Sequence, residues 1–206
     1  QITSAVTPSN INVVVDYLRE SSFQIQENVV YKVSDGYYAS TSLATKSIVI
    51  SGPQTEISKI DKVSATAEIN GTLTDSSTTD AEIVLYDSSG NELSTDLLTM
   101  DFDKVKATVS VLPEKTVSVK PTFTNKPSGL EITDDMISVE PSTILLAGNK
   151  DILEKTDSVN LEAIDFSNLK NEKITFDALG IDIPTDCKNI SNSTTAKVTL
   201  DLSGFT

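Results

Sequence analysis

The sequence predicts a mainly β fold made of two tandem units, each with one short helix after a glycine-containing turn. Three observations predict it. The stretch Ser47–Ile69 recurs 96 positions later as Thr143–Asp165, with identical residues at Ile48/Ile144, Gly52/Gly148, Lys59/Lys155, Asp61/Asp157, Val63/Val159 and Ala67/Ala163. Apolar residues alternate in short β-branched runs such as Val105–Val111 and Ala196–Leu202, the period of a strand with one buried face. Ser and Thr are abundant and Arg19 is the only arginine, a usage that favours extended structure with polar faces over a helical bundle.

The chain has 206 residues, room for one large domain or two of about 100 residues. Each half can bury its own core, though with little margin. With 5% aromatics and no Trp, the cores must rely on Ile, Val and Leu. The net charge is −14. A chain this acidic does not bind nucleic acid through phosphates, which needs clustered Lys or Arg, and an anionic membrane surface repels it. The charge serves solubility, and it suits a protein partner with a basic face or weakly held Ca²⁺. No apolar run approaches the ~18 residues of a membrane span, and no leader peptide is recognisable. Because the chain starts at Gln1 rather than Met, it is read as a piece of a longer protein, any anchor or export signal of which would lie upstream.

Taken in order, Asn10–Tyr17 alternates as a strand. At a shift of 94, Val6, Ile11, Val13, Val15 and Tyr17 fall opposite Met100, Val105, Ala107, Val109 and Val111. Residues 1–19 are therefore read as the closing strand of a preceding repeat, or a linker, with one repeat over 20–113 and a second, diverged one over 114–206. Phe23, Ile25, Glu27 and Val29 open the first repeat and match Val117, Val119, Pro121 and Phe123. Gly36 and Gly129 follow at corresponding turns. Ile48–Ile50 and Ile144–Leu146 are buried strands, and Gly52 and Gly148 are expected to end them. Pro53 suits the first turn of a helix, where its missing N–H costs nothing. Ile57 and Ile60 lie on one face of that helix, as Ile152 and Leu153 do in the second copy. So short a helix must be pinned by docking its apolar residues onto the sheet. Val63, Ala65, Ala67 and Ile69 then alternate as a strand, mirrored by Val159.

Asn70–Asp80 reads as a polar loop. Ala81–Tyr86 leads into the turn Asp87-Ser-Ser-Gly90, with Asn91–Leu93 returning as a strand. The expected counterpart is Lys173–Phe176 running into a turn at Asp177–Gly180. The repeats join over Leu112–Lys115, short enough to restrict their mutual orientation. Each unit should hold six to eight short strands.

The ordered series of apolar strand, Gly-Pro, short helix, Ile-Asp-x-Val-x-Ala, strand and Asp-x-x-Gly hairpin resembles the YbbR domain family. Val49, Gly52, Pro53, Ile57, Ile60, Asp61, Val63, Ala65, Asp87 and Gly90 carry the resemblance, which spans nearly the whole chain. The second copy departs from it, with Asn149 in place of the proline and Thr156 in place of the isoleucine before Asp157. The resemblance implies elongated, mainly β domains in tandem, following an N-terminal transmembrane helix and projecting outside the bacterial cytoplasmic membrane. It implies a parent protein that binds and regulates a membrane-bound diadenylate cyclase, the enzyme that makes cyclic di-AMP. It brings no catalytic residue and no cofactor.

The residues themselves point the same way on catalysis. The chain has no His and no nucleophile-elbow, P-loop or dinucleotide-binding pattern. Cys187 is the single cysteine, so it has no intrachain disulfide partner and no histidine base to activate it. Asp61 and Asp157 recur at a helix-to-strand junction, where bonding to nearby backbone N–H groups is the expected role. Asp101 with Asp103, and Asp134 with Asp135, are the candidate Ca²⁺ ligands, without the dense glycine-bearing loop of an EF-hand. The motif residues are therefore read as structural: Gly52, Pro53, Ile57, Ile60, Asp61, Val63, Asp87 and Gly90, then Gly148, Asp157, Val159, Asp177 and Gly180. The alternative reading is a cell-surface adhesin or surface-layer module of immunoglobulin-like sandwiches, which need no such helix.

Overall fold

The computed structural model describes residues 15–170 and 172–204. Fifteen strands and two α-helices make up the described chain. It divides into two compact units: Gln1–Val30, Thr41–Asn70 and Thr78–Thr108 form the first, and Tyr31–Ser40, Gly71–Ser77 and Val109–Thr206 the second. These units divide space rather than sequence, since Tyr31–Ser40 and Gly71–Ser77 group with the later residues.

In the first repeat, β1 (Leu18–Val33) and β2 (Tyr37–Leu43) flank a turn at Gly36, whose φ of +81° lies in the region only glycine enters freely. β3 (Ser47–Pro53) runs antiparallel to β1, with Leu18 opposite Pro53 and Gln24 opposite Ser47. The helix α1 (Gln54–Ile57) follows, then β4 (Lys62–Leu73) and β5 (Ser77–Tyr86), antiparallel with Val63 opposite Leu85. The short β6 (Thr99–Met100) lies on the free side of β3. β7 (Lys104–Lys120) neighbours β5 and β2 and extends into the second unit.

The second unit adds β8 (Phe123–Thr124), β9 (Ile137–Glu140) and β10 (Thr143–Gly148), the last antiparallel to β7 with Ser118 opposite Thr143. The helix α2 (Lys150–Lys155) leads to β11 (Ser158–Asn160), which pairs parallel with β7. β12 (Ile164–Asp165) pairs parallel with β8 and runs into a 3₁₀ turn, Phe166–Asn168. β13 (Lys173–Gly180), β15 (Thr195–Asp201) and β9 form a three-stranded antiparallel sheet in the order β13-β15-β9. β14 (Cys187–Asn189) edges β10.

Each unit has its own aliphatic core. Ile48, Ile50, Ile57, Val63, Ala65, Leu85 and Val105 centre the first. Val117, Ile144, Leu146, Leu153, Val159, Val198 and Leu200 centre the second, with Phe123 and Phe166 in edge-to-face contact at 5.5 Å. Full burial of one such aliphatic side chain contributes about 1.5–3 kcal/mol, so these alternating strands account for the stability of a protein poor in aromatics.

Four expectations change. Asn70–Asp80 is not a loop: β4 runs to Leu73, β5 starts at Ser77, and only Thr74–Ser76 turns. The β-branched threonines keep the chain extended, and with polar residues on both faces no hydrophobic alternation announces the strands. Asp177–Gly180 is not a turn either. These residues continue β13, whose register against β15 slips between Phe176 and Leu179 in a bulge. The junction Leu112–Lys115 is no separate linker, for it lies inside β7. Pro113 is tolerated there as the strand changes partners, with Glu114 opposite Ala147 on β10. The strands are also longer than expected, with 16, 12 and 17 residues in β1, β4 and β7. Of the early strand expected over Asn10–Tyr17, only residues 15–17 are described, and they precede β1 without strand pairing.

Candidate functional site

The repeated strand–glycine–helix element is the candidate site, and its geometry shows what the repeated residues do. Gly52 and Gly148 are both buried, and neither has a positive φ. They are therefore not turn glycines. A Cβ on Gly148 would stand 2.8 Å from Cys187 Sγ, 2.9 Å from the Asp186 carbonyl oxygen and 3.1 Å from Cys187 Cα. On Gly52 it would stand 2.6 Å from Leu98 Cδ2 and 2.9 Å from the Leu97 carbonyl oxygen. In both units a neighbouring backbone crosses directly over the glycine. It is delivered by a turn, in which Leu98 N–H donates to Thr95 O at 2.9 Å and Cys187 N–H to Pro184 O at 3.1 Å. Asp186 adopts φ +65°, a conformation Asp tolerates better than most residues. The glycine thus sets how closely β6 or β14 approaches the strand end.

The helices start differently. Pro53 and Asn149 both occupy the N-cap, with φ −56° and −59°. The Asn149 carboxamide accepts from Asp151 N–H at 2.8 Å, satisfying one of the free donors of the first turn. Proline has no such acceptor. In the first unit Asp16 supplies it from outside the helix, accepting from the Thr55 N–H at 3.0 Å and from its hydroxyl, while Tyr17 O accepts from Gln54 N–H at 2.8 Å. The Thr55 hydroxyl, then its backbone N–H, hold the Asp16 carboxyl below the usual carboxylate range. The Pro-to-Asn difference between the copies signals in the sequence that one helix is capped from elsewhere. Ile57 and Ile60 are buried beneath α1, and Leu153 beneath α2.

The two recurring aspartates do not bond nearby backbone N–H groups. Among the described residues the Asp61 carboxylate has no hydrogen-bond partner, and its N–H donates to Tyr86 O at 2.9 Å. Asp157 pairs instead with Lys115 Nζ at 2.8 Å, and the same ammonium donates to Leu153 O at the end of α2 at 2.9 Å. Hydrogen bonding to Lys115 and then its charge lower the Asp157 pKa. Lys115 corresponds to no lysine in the first copy, so the repeat comparison leaves it unmarked. Asp87 does organise a turn. Its Oδ1 accepts from Ser89 N–H at 2.8 Å and Asn91 N–H at 2.9 Å, and Gly90 closes the turn at φ +83°. The Asn91 N–H is the main cause of its lowered pKa.

Among the described residues, chemistry-bearing side chains do not converge. Among the described residues no three His, Cys, Asp or Glu side chains gather to hold a metal ion. The Asp101 carboxylate accepts from Val49 N–H at 3.3 Å. Burial, then the neighbouring Asp186, push the half-buried Cys187 thiol up, the opposite of an activated nucleophile. An open groove of about 420 Å³ lies in the first unit beside Glu82, Leu93, Asp96, Met100 and Asp103. Lys104 pairs with Glu82 at 3.2 Å there, and Ser94 donates to Asp96 at 2.8 Å. No described helix is long and apolar enough to cross a membrane.

The family described as YbbR-like protein matches residues 23–114 and again 116–206. A crystal structure of a YbbR-like protein from Streptococcus pneumoniae TIGR4 is 15% identical, covers 92% of this chain and 98% of its own, and has a TM-score of 0.42. The solution structure of SuR18C from Streptococcus thermophilus is 18% identical over 47% of this chain and 86% of its own, with a TM-score of 0.36. No curated protein matches. The double match covers both glycine–helix elements and nearly everything between them, and the chain belongs to the YbbR-like protein family, as two consecutive family domains.

Proposed function

We propose that this chain is a non-enzymatic repeat region of a membrane-anchored bacterial protein, carried on the outer side of the cytoplasmic membrane, that binds and regulates a membrane-bound diadenylate cyclase. The observation that carries the reading is the family match over both repeats. It is supported by motif residues spent on backbone approach, helix docking and turns, which leaves binding as the means of action. The surface fits a protein partner: at −14 it is strongly acidic, and a basic face on the partner would be drawn to it. The adhesin alternative calls for an antiparallel sandwich. Here β10, α2 and β11 form a crossover whose last strand pairs parallel with β7, which disfavours that alternative.

The test is co-expression of the full-length parent with its cyclase, with cyclic di-AMP measured in cells. The expected result is a change in output that is lost when both repeats are deleted. Unchanged output, with both proteins folded and in the membrane, sinks the reading.

A further inference from the structure

Three of the five large hydrophobic side chains that stand exposed in the described chain lie together: Val15 at 84%, Tyr17 at 79% and Leu18 at 83% exposure. Their place is fixed rather than loose, because Asp16 and Tyr17 bond the first turn of α1. An apolar strip held in place at the start of β1 marks an interaction surface.

The repeat identifies what covers such a strip. Glu20 lies opposite Ser51 on β3, and Glu114 opposite Ala147 on β10. Ser51 and Ala147 are themselves 96 positions apart, so Glu20 corresponds to Glu114. Val15, Tyr17 and Leu18 then correspond to Val109, Val111 and Leu112. Val109 is fully buried, Val111 is 6% exposed, and Leu112 is half-buried. They are grouped in the second compact unit with two segments of the first repeat, Tyr31–Ser40 and Gly71–Ser77, which hold the β1–β2 and β4–β5 turns with the adjoining strand ends. Gly36 O accepts the Glu114 N–H at 2.9 Å, Ser76 Oγ accepts the Val111 N–H at 2.9 Å, and Ser34 N–H ties the two turns together through Leu73 O at 3.0 Å.

We propose that residues 15–20 are a docking strand for the paired turns of a further YbbR-like unit that precedes this pair in the same polypeptide. The turns would correspond to Ser34–Tyr37 and Thr74–Ser76, with a glycine carbonyl meeting the Glu20 N–H. A unit of the same polypeptide is the occupant because β7 closes one repeat and opens the next as a single uninterrupted strand, Lys104–Lys120. Strand and gripping turns are then neighbours along one chain.

The experiment compares residues 1–206 with a version extended upstream by the ~95 natural residues before Gln1, a length taken from the repeat. In the extended protein the upstream residues should carry the strand–glycine–helix pattern. Hydrogen exchange at amides 15–20 should slow at least tenfold relative to residues 1–206. The double variant Val15→Ser/Tyr17→Ser should lower Tm in the extended protein and leave residues 1–206 unchanged. Three results would overturn the proposal: no such pattern upstream, equal exchange in both proteins, or self-association of residues 1–206 that the double variant abolishes, which would make a second copy the occupant.

Discussion

Replacing Gly148 with alanine tests the account of the repeated glycines most directly. The added methyl would meet a side-chain sulfur at 2.8 Å and two backbone atoms at 2.9 and 3.1 Å. The sulfur can swing aside, but Asp186 O and Cys187 Cα move only if the backbone moves. That movement pulls on the β10–β14 pairing, in which Gly148 lies opposite Cys187. Overpacking of this kind costs about 1–3 kcal/mol, and the reduced freedom of the unfolded alanine chain returns roughly 0.4–1 kcal/mol. The net expectation is a loss of about 1–2 kcal/mol, or a few degrees in Tm at ~2–4 °C per kcal/mol for a chain of this length. Urea unfolding followed by far-UV circular dichroism measures it. Cys187→Ala in the Gly148→Ala background should restore only a minor part, since both backbone contacts remain. Gly180→Ala is the control. Its Cβ would have nothing within 4 Å and its φ is not positive, so it should be neutral or stabilising by up to about 1 kcal/mol. Equal stabilities for Gly148→Ala and Gly180→Ala would refute the close-approach argument and return Gly148 to the role of an ordinary strand glycine.

The remaining predictions follow from single observations. Asn149→Ala removes the cap of α2 and should cost about 1 kcal/mol; an unchanged urea midpoint would show that another acceptor takes the Asp151 N–H. Ser64 is fully buried, and among the described residues its hydroxyl has no hydrogen-bond partner. Ser64→Ala should therefore stabilise by about 1 kcal/mol, whereas a clear loss of stability would reveal a bond to that hydroxyl. Asp16, Asp87, Asp157, Asp165 and Asp201 all have lowered pKa values from hydrogen bonds made in the folded state. Their contribution is present above the unfolded carboxylate pKa of about 4 and is lost as pH falls through the lower folded values. With no His in the chain, Tm should be flat from about pH 6 to 8 and fall below about pH 4. A transition near neutrality would contradict this.

The mainly β class, the tandem repeat and the choice of core residues were legible in the sequence because they rest on periodicity. Ile48, Ile50, Ile57, Val63 and their counterparts recur at spacings that only one burial pattern satisfies. The Asp87–Gly90 turn was legible for a similar reason, since an Asp side chain and a positive-φ glycine are local requirements. Where both faces of a strand are polar, as over Asn70–Asp80, the period carries no signal and the strands were missed. Asp177–Gly180 shows the converse: the same letters as Asp87 and Gly90 lie flat in a bulged strand because β15 offers a ladder. By itself the sequence determined that Ser47–Ile69 and its copy matter, as apolar strand, glycine and docked helix. Only the tertiary structure decided why. The glycines are required by a backbone roughly 40 residues further along the chain in each unit (Leu97–Leu98 or Asp186–Cys187), Pro53 is served by Asp16, and Asp157 answers Lys115. Contacts between residues distant in sequence leave no local spacing to read, and they exist only once the strands have come together.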